Sequence, residues 1–350
     1  MKSIRNSGGN AFCVGLVKMV MLVFLVTVIS SLNFAARAAP NDDPCSETSK
    51  LAKKACYNAA DEVYNLALGK CENLPENEQD ACEAAAKQER ADSQAECVDQ
   101  YQARQEVCTE LGGGPYNPNI DPKLFVLEPG KGIQNPYFPL TKKTYTYRSY
   151  PPEGGTAIEK DVVKVTSEIR SIKGVNCVVV RDIVTDLTAG QQKTEDTTDW
   201  YALDKAGNAW YFGEIAQQFE DGVLVGIDGS WTTGKEGAKP GYIMLAKRKV
   251  SDVYRQEFAL SEAEDMGRVV GINEKIEDLP VEEWVKTKLT QTTGIGRKVG
   301  VLLHTHDFSA LDPASVLEGQ YENKYYAPNF GLVLTLGPGG TPIEVLEKVE

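Results

Sequence analysis

Two patterns of apolar and polar positions divide the chain near residue 115. Before it, apolar positions are mostly alanine. Strong helix formers run as Leu51-Ala52-Lys53-Lys54-Ala55 and Glu83-Ala84-Ala85-Ala86-Lys87-Gln88-Glu89, which predicts helix. No Pro or Gly interrupts 77–111, and Gly112-Gly113-Gly114-Pro115 stops the second helical stretch. After it, short β-branched and aromatic runs alternate with turn residues. Strands are expected at 144–150, 159–172, 175–187, 192–202, 209–215, 223–229, 254–259, 268–273, 281–293, 299–305, 320–327 and 331–336. Hairpin signals join them at Ser171-Ile172-Lys173-Gly174, at 204–208 and at Glu220-Asp221-Gly222. Many short strands in tandem without long helices between them predict an antiparallel sheet, curved or closed. The fold class is therefore α+β by segments, a helical hairpin followed by an antiparallel all-β barrel or half-barrel. The divisions are 1–38 signal peptide, 39–114 hairpin, 115–122 linker and 123–350 β domain.

The cysteines fix the hairpin. Cys45, Cys56, Cys71, Cys82, Cys97 and Cys108 are spaced 11, 15, 11, 15 and 11 apart. That list reads the same in both directions, as an antiparallel pairing requires. At about 100° per residue, each arm keeps its three cysteines within one stripe of ~80°. Of the pairings open to six cysteines, this geometry selects Cys45–Cys108, Cys56–Cys97 and Cys71–Cys82, with the tip at Leu74-Pro75-Glu76-Asn77. A metal–thiolate cluster would need C-x2-C type spacing, which is absent. Cross-links suit two helices that bury little apolar surface. The hairpin carries 16 acids and 7 bases between 39 and 114, and reads as a solvated spacer or a contact arm for a protein partner.

The N-terminus changes the compartment. Lys2 and Arg5, a short apolar run from Met19 to Ile29, and Ala36-Arg37-Ala38 form a signal peptide cleaved after Ala38. The apolar run is too short to span a bilayer. Cleavage removes four bases and no acids, which leaves 312 residues at net charge −17, from −13 for the whole chain. Seven cysteines behind an export signal imply a secreted protein, periplasmic or extracellular. The strongly acidic balance excludes nucleic acid as a partner. No cofactor motif is present.

Several stretches carry a resemblance: Asn135-Pro136-Tyr137-Phe138-Pro139-Leu140, Asp199-Trp200-Tyr201-Ala202, Trp210-Tyr211-Phe212-Gly213-Glu214, Gly237-Ala238-Lys239-Pro240-Gly241, Tyr254-Arg255-Gln256-Glu257, Glu262-Ala263-Glu264-Asp265-Met266 and Lys324-Tyr325-Tyr326-Ala327-Pro328 with Gly331-Leu332-Val333. Together they resemble a group of secreted or envelope-associated bacterial proteins with lipocalin-like or half-barrel domains. The resemblance covers about 120–336, not the hairpin, and implies fold and compartment rather than activity. Asn329 stands where such tails usually carry Gly after Ala-Pro, which leaves the turn geometry there open.

Three constellations could carry chemistry. Trp200, Trp210, Phe212 and Trp231 concentrate aromatic surface that could meet a small apolar or amphiphilic ligand. His304 and His306, two apart on a strand, share one face and could bind a metal completed by Asp307 or a distant Glu. Glu257, Glu262, Glu264 and Asp265 could serve a carboxylate hydrolase or a Ca²⁺ module. Each has a plainer reading, as core, as surface histidines and as solvated acids. Arg255 could sit in an ion pair, and Cys177 reads as a buried, inert thiol. Catalytic signatures such as G-x-S-x-G, H-E-x-x-H and the Walker A loop are absent. The leading expectation is a non-enzymatic binding or envelope-accessory protein whose β domain holds an apolar or amphiphilic ligand while the hairpin contacts a partner; a carboxylate-based hydrolase or Ca²⁺-dependent module and a structural surface protein are the alternatives.

Overall fold

A computed structural model describes residues 43–188, 190–291 and 301–350. The expected signal peptide lies outside the described residues. Helix α1 spans Pro44–Cys71 and α2 spans Glu76–Leu111. Asp43 caps α1, its Oδ1 accepting from the Ser46 N–H at 2.8 Å. Gly112, at φ 75°, leaves α2 through a conformation that only glycine adopts freely. The chain turns between Glu72 and Pro75, slightly earlier than the cysteine symmetry places the tip. Pro75 has no N–H to extend α1, and it stands directly before α2. The three expected disulfides are present, with Cα separations of 5.7, 5.8 and 5.6 Å. Little else holds the two helices: the buried residues of α1 are Ser46, Ser49, Ala52, Ala60 and Cys71.

The rest is an antiparallel, nearly closed barrel. Its strands are β1 (Lys143–Tyr150), β2 (Glu159–Ile172), β3 (Val175–Asp186), β4 (Gln192–Leu203), β5 (Ala209–Glu220), β6 (Val223–Gly226), β7 (Trp231–Thr232), β8 (Lys239–Met244), β9 (Val253–Arg255), β10 (Glu257–Phe258), β11 (Asp265–Glu274), β12 (Leu302–Ser309), β13 (Glu322–Ala327), β14 (Gly331–Leu336) and β15 (Ile343–Val349). The order is β10-β8-β5-β4-β3-β2-β1-β15-β14-β13-β12-β11-β9. Two meanders thus grow away from a central pair made by the first and last strands, where Tyr145 faces Val349 and Tyr150 faces Ile343. Their far ends meet again at β9 and β10, which only Gln256 separates. β9 pairs with β11 and β10 pairs with β8, so one six-residue stretch closes the barrel.

Turn chemistry follows the sequence. Lys173 and Gly174 (φ 51° and 80°), like Asp221 and Gly222 (49° and 77°), form the tight turns of the β2–β3 and β5–β6 hairpins. Asn329 takes φ 70°, a left-handed conformation that asparagine adopts more readily than most residues. One expectation fails. Residues 281–293 were expected as a strand, but Glu283–Gln291 is helix α3. Val281, Val285 and Leu289 recur every four residues, and Val285 and Leu289 are fully buried on one helical face. A short helix α4 (Pro313–Leu317) follows β12.

Two apolar clusters use the two faces of the sheet. The inner one includes Val178, Val180, Tyr201, Tyr211, Tyr325 and Leu346, with Val285 and Leu289 of α3. The outer one covers β3–β5, where Cys177, Val179, Trp200, Trp210 and Phe212 pack under Phe125. The hairpin docks at its open end: Val107 packs on Met266 and Phe308, and Glu110 pairs with Arg268. From Arg104 the tip at Glu76 lies 28 residues along α2, about 42 Å at 1.5 Å per residue.

Candidate binding site

The barrel interior is crowded and polar. Asp161, Asp182, Asp199, Glu257, Asp307, Glu322 and Lys324 are all buried. Lys324 donates to Asp307 Oδ2 and Glu322 Oε2, each at 2.8 Å. Burial opposes its charge, but the two carboxylates win and hold its pKa well up. Gln256 also donates to Asp307 Oδ2 at 3.0 Å. Asp199 accepts from the hydroxyls of Tyr211 at 2.6 Å and Tyr201 at 3.2 Å. Burial pushes its pKa up to about 6. Asp161 is also held well above the usual carboxylate range, by burial first and then by the Asp182 carboxyl beside it. The space left among Tyr145, Asp161, Asp199, Tyr201, Lys324 and Tyr326 is about 90 Å³. That suits a few waters, well short of the 300 Å³ or so where small-molecule pockets begin.

The large cavity lies outside the barrel, under the hairpin. A cleft of about 770 Å³ opens between the start of α1, the end of α2, residues 112–119 and the barrel wall at β8 to β10. Its apolar walls include Val107, Leu111, Phe125, Trp210, Tyr242 and Phe258, and the Cys45–Cys108 bridge borders it. It sits directly over the closure of the barrel, since Val253, Tyr254, Arg255 and Phe258 line it. Arg104 and Glu264 meet there as a buried pair. Arg104 Nη2 lies 2.7 Å from Glu264 Oε1, and its Nε lies 3.0 Å from Oε2. The Ser261 N–H also donates to Glu264 Oε1 at 2.8 Å. Arg255 is buried beside them, its guanidinium 5.5 Å from the Tyr116 ring centre and 4.8 Å from that of Phe258. Burial lowers its pKa, and the nearby Glu264 works the other way.

The residues singled out in the sequence are distributed rather than assembled. Trp200, Trp210 and Phe212 share the outer cluster, and Trp210 alone of the three lines the cleft. Trp231 packs in the inner cluster and donates to Glu257 Oε2 at 2.7 Å. His304 and His306 do share a face, with ring centres 5.3 Å apart. His304 lies 3.0 Å from both Glu274 Oε1 and Asn323 Oδ1, and His306 stacks on Tyr321. Burial, with His304 and Arg268 nearby, lowers the His306 pKa to about 4. Asp307, one residue on, faces the interior and Lys324. Of the four acids, Glu257 binds Trp231, Glu264 binds Arg104, Glu262 is exposed, and Asp265 is half-buried at the start of β11 opposite Ser309. No group of three or more His, Cys, Asp or Glu able to hold a metal exists among the described residues. Cys177 is the described cysteine outside a disulfide; it is buried, and burial pushes its thiol pKa up.

The sequence reading missed Arg104. The signal was present: Arg104 precedes Cys108 by four residues, which puts it on the inward, stapled face of α2.

No family model matches the chain, and no curated protein matches it. It is similar in structure to a chain from Parabacteroides distasonis named "putative lipoprotein", at 12% identity and a TM-score of 0.30, over 62% of this chain and 99% of that one. The class is thus defined by its own architecture: a disulfide-stapled helical hairpin on a nearly closed antiparallel barrel. Three disulfides belong to an oxidising, extracytoplasmic setting.

Proposed function

We propose that the protein is a secreted, non-enzymatic binding protein of the periplasm or cell exterior, which holds a small amphiphilic molecule in the cleft under the hairpin. The observation that carries this reading is the cleft itself, about 770 Å³ with aromatic and aliphatic walls. Its size lies within the usual range for small-molecule pockets, roughly 300–1,000 Å³. The lumen, the expected place for a carrier's ligand, is instead filled by the Lys324 and Asp199 networks. The hairpin serves as the contact arm. Leu51, Val63 and Leu66 are exposed along α1, and the helices project far beyond the docked end.

Mass measurement on the protein from its native host tests this. The native mass is expected to exceed the denatured mass by one small organic molecule. The denatured mass should fall about 6 Da below that of the reduced chain, two hydrogens for each bridge. Equal native and denatured masses, together with no thermal shift from any amphiphile added back, would overturn the binding reading.

A further inference from the structure

The charges in the cleft do not balance. Its lining carries Arg104, Lys239 and Arg255 against Asp204 and Glu264. Asp204 is committed locally: it accepts from the Ala206 and Asn208 N–H groups, the Asn208 amide and the Trp210 indole at 2.7–2.9 Å. Lys239 donates to the Tyr116 carbonyl. Glu264 is the one carboxylate left for two buried guanidinium groups, at 4% exposure for Arg104 and 8% for Arg255. Arg104 takes it through Nε and Nη2. Arg104 Nη1 and Arg255 Nε are buried with no hydrogen-bond partner among the described residues. In a chain of net charge −13, this is a cationic floor under apolar walls.

We propose that the cleft recognises the oxyanion head, carboxylate or phosphate, of an amphiphilic guest, with Arg255 and Arg104 as its cationic floor and the aromatic walls taking the apolar tail. This rests on the reading of the cleft as the ligand site. An anionic head supplies the countercharge that Glu264 alone does not provide. The planar guanidinium suits both carboxylate and phosphate oxygens. A neutral head leaves the buried donors unsatisfied, and a cationic head adds like charge where dielectric screening is weak. The acidic surface of the chain repels anions at a distance, so recognition has to come from these short-range contacts and not from steering.

The test titrates the mature, oxidised protein by calorimetry with four probes that share one tail: dodecanoate, dodecyl phosphate, dodecanol and dodecyltrimethylammonium. Both anions are expected to bind at least about tenfold more tightly than dodecanol, with the cation weakest. The ratio of dodecanoate to dodecyl phosphate then tells which head the cleft prefers. Arg255→Met should bring dodecanoate down to the affinity of dodecanol and leave dodecanol unchanged. If that variant loses its far-UV circular dichroism, the wild-type ranking of the four probes decides. Dodecanol binding as tightly as dodecanoate would overturn anion recognition and leave the cleft as an apolar site. Binding of none of the four would overturn the cleft reading as well.

Discussion

Asp199 shows how a single carboxyl is kept inside the barrel. Two tyrosine hydroxyls donate to it, yet burial dominates and pushes its pKa from 3.8 up to about 6. The folded state therefore binds this proton more tightly than the unfolded chain does. Its contribution to stability is full below about pH 4 and is lost as pH rises through about 6. A shift of about two units corresponds to roughly 3 kcal/mol. His306 acts in the opposite direction: with its pKa lowered from 6.5 to about 4, stability falls as pH drops across that window. Asp199→Asn separates the two, because the amide oxygen still accepts from both tyrosines but cannot ionise. The variant should gain up to about 3 kcal/mol on the wild type between pH 4 and pH 7, read from urea midpoints by tryptophan fluorescence. Parallel pH curves for the two proteins would show that Asp199 is not held neutral. None of this was legible in the sequence. In β3, Val178, Val180, Asp182 and Val184 lie on one face and Cys177, Val179, Arg181 and Ile183 on the other. Both faces are apolar with one charge each, so the pattern names the strand but not its inner side. The cleft that brings Arg104 and Arg255 together was hidden for another reason, since it joins segments some 150 residues apart.

At the scale of elements, the hairpin was the most legible part and α3 the least. Cysteine spacing encodes an antiparallel helix pair because a disulfide constrains both the distance and the face. The α3 segment carries β-branched residues at helical spacing, and there its tertiary partners outweigh propensity. The same bridges that made the hairpin readable should also carry its stability. With few buried side chains, α1 and α2 depend on loop closure in the unfolded chain. The Cys56–Cys97 bridge spans 41 residues and Cys71–Cys82 spans 11. Chain entropy gives about 4 and about 3 kcal/mol for them. Cys56→Ala with Cys97→Ala should therefore raise amide exchange along both arms more than Cys71→Ala with Cys82→Ala. Tryptophan fluorescence should barely change, because Trp200, Trp210, Trp231 and Trp284 all lie outside the hairpin. Unchanged exchange in the first variant would mean that helix packing, not the bridges, holds the arms. A concurrent loss of tryptophan signal would mean that hairpin and barrel unfold as one unit.

At the scale of the whole molecule, closure and cleft meet on one stretch of chain. Residues 253–255 complete one meander and 257–258 the other, and Gln256 between them reaches into the interior network through Asp307. Arg255, its neighbour, faces the cleft. The break between β9 and β10 interrupts simple alternation: Gln256 and Glu257 both serve the interior, while Arg255 and Phe258 on either side of them line the cleft. The closing stretch is therefore rigid only if β8 approaches it closely, and Gly241 permits that approach. A Cβ at this position would lie 2.3 Å from the Arg255 carbonyl oxygen and 2.6 Å from the Gln256 carbonyl carbon, both backbone atoms with little room to give. Gly241→Ala should part β8 from the closing strand and cost about 2 kcal/mol or more, as overpacked sites do. It should also weaken dodecanoate binding, because Arg255 moves with the strand that carries it. Gly222→Ala is the comparison: it sits at a hairpin tip with nothing within 4 Å of the added carbon. There the left-handed backbone alone should cost about 1 kcal/mol, with no change in binding. Equal losses of stability in the two variants, or unchanged dodecanoate affinity in Gly241→Ala, would show that closure of the barrel and shape of the cleft are independent. The expected outcome is that they are one device: the segment that seals the barrel also sets the position of the charge that meets the ligand.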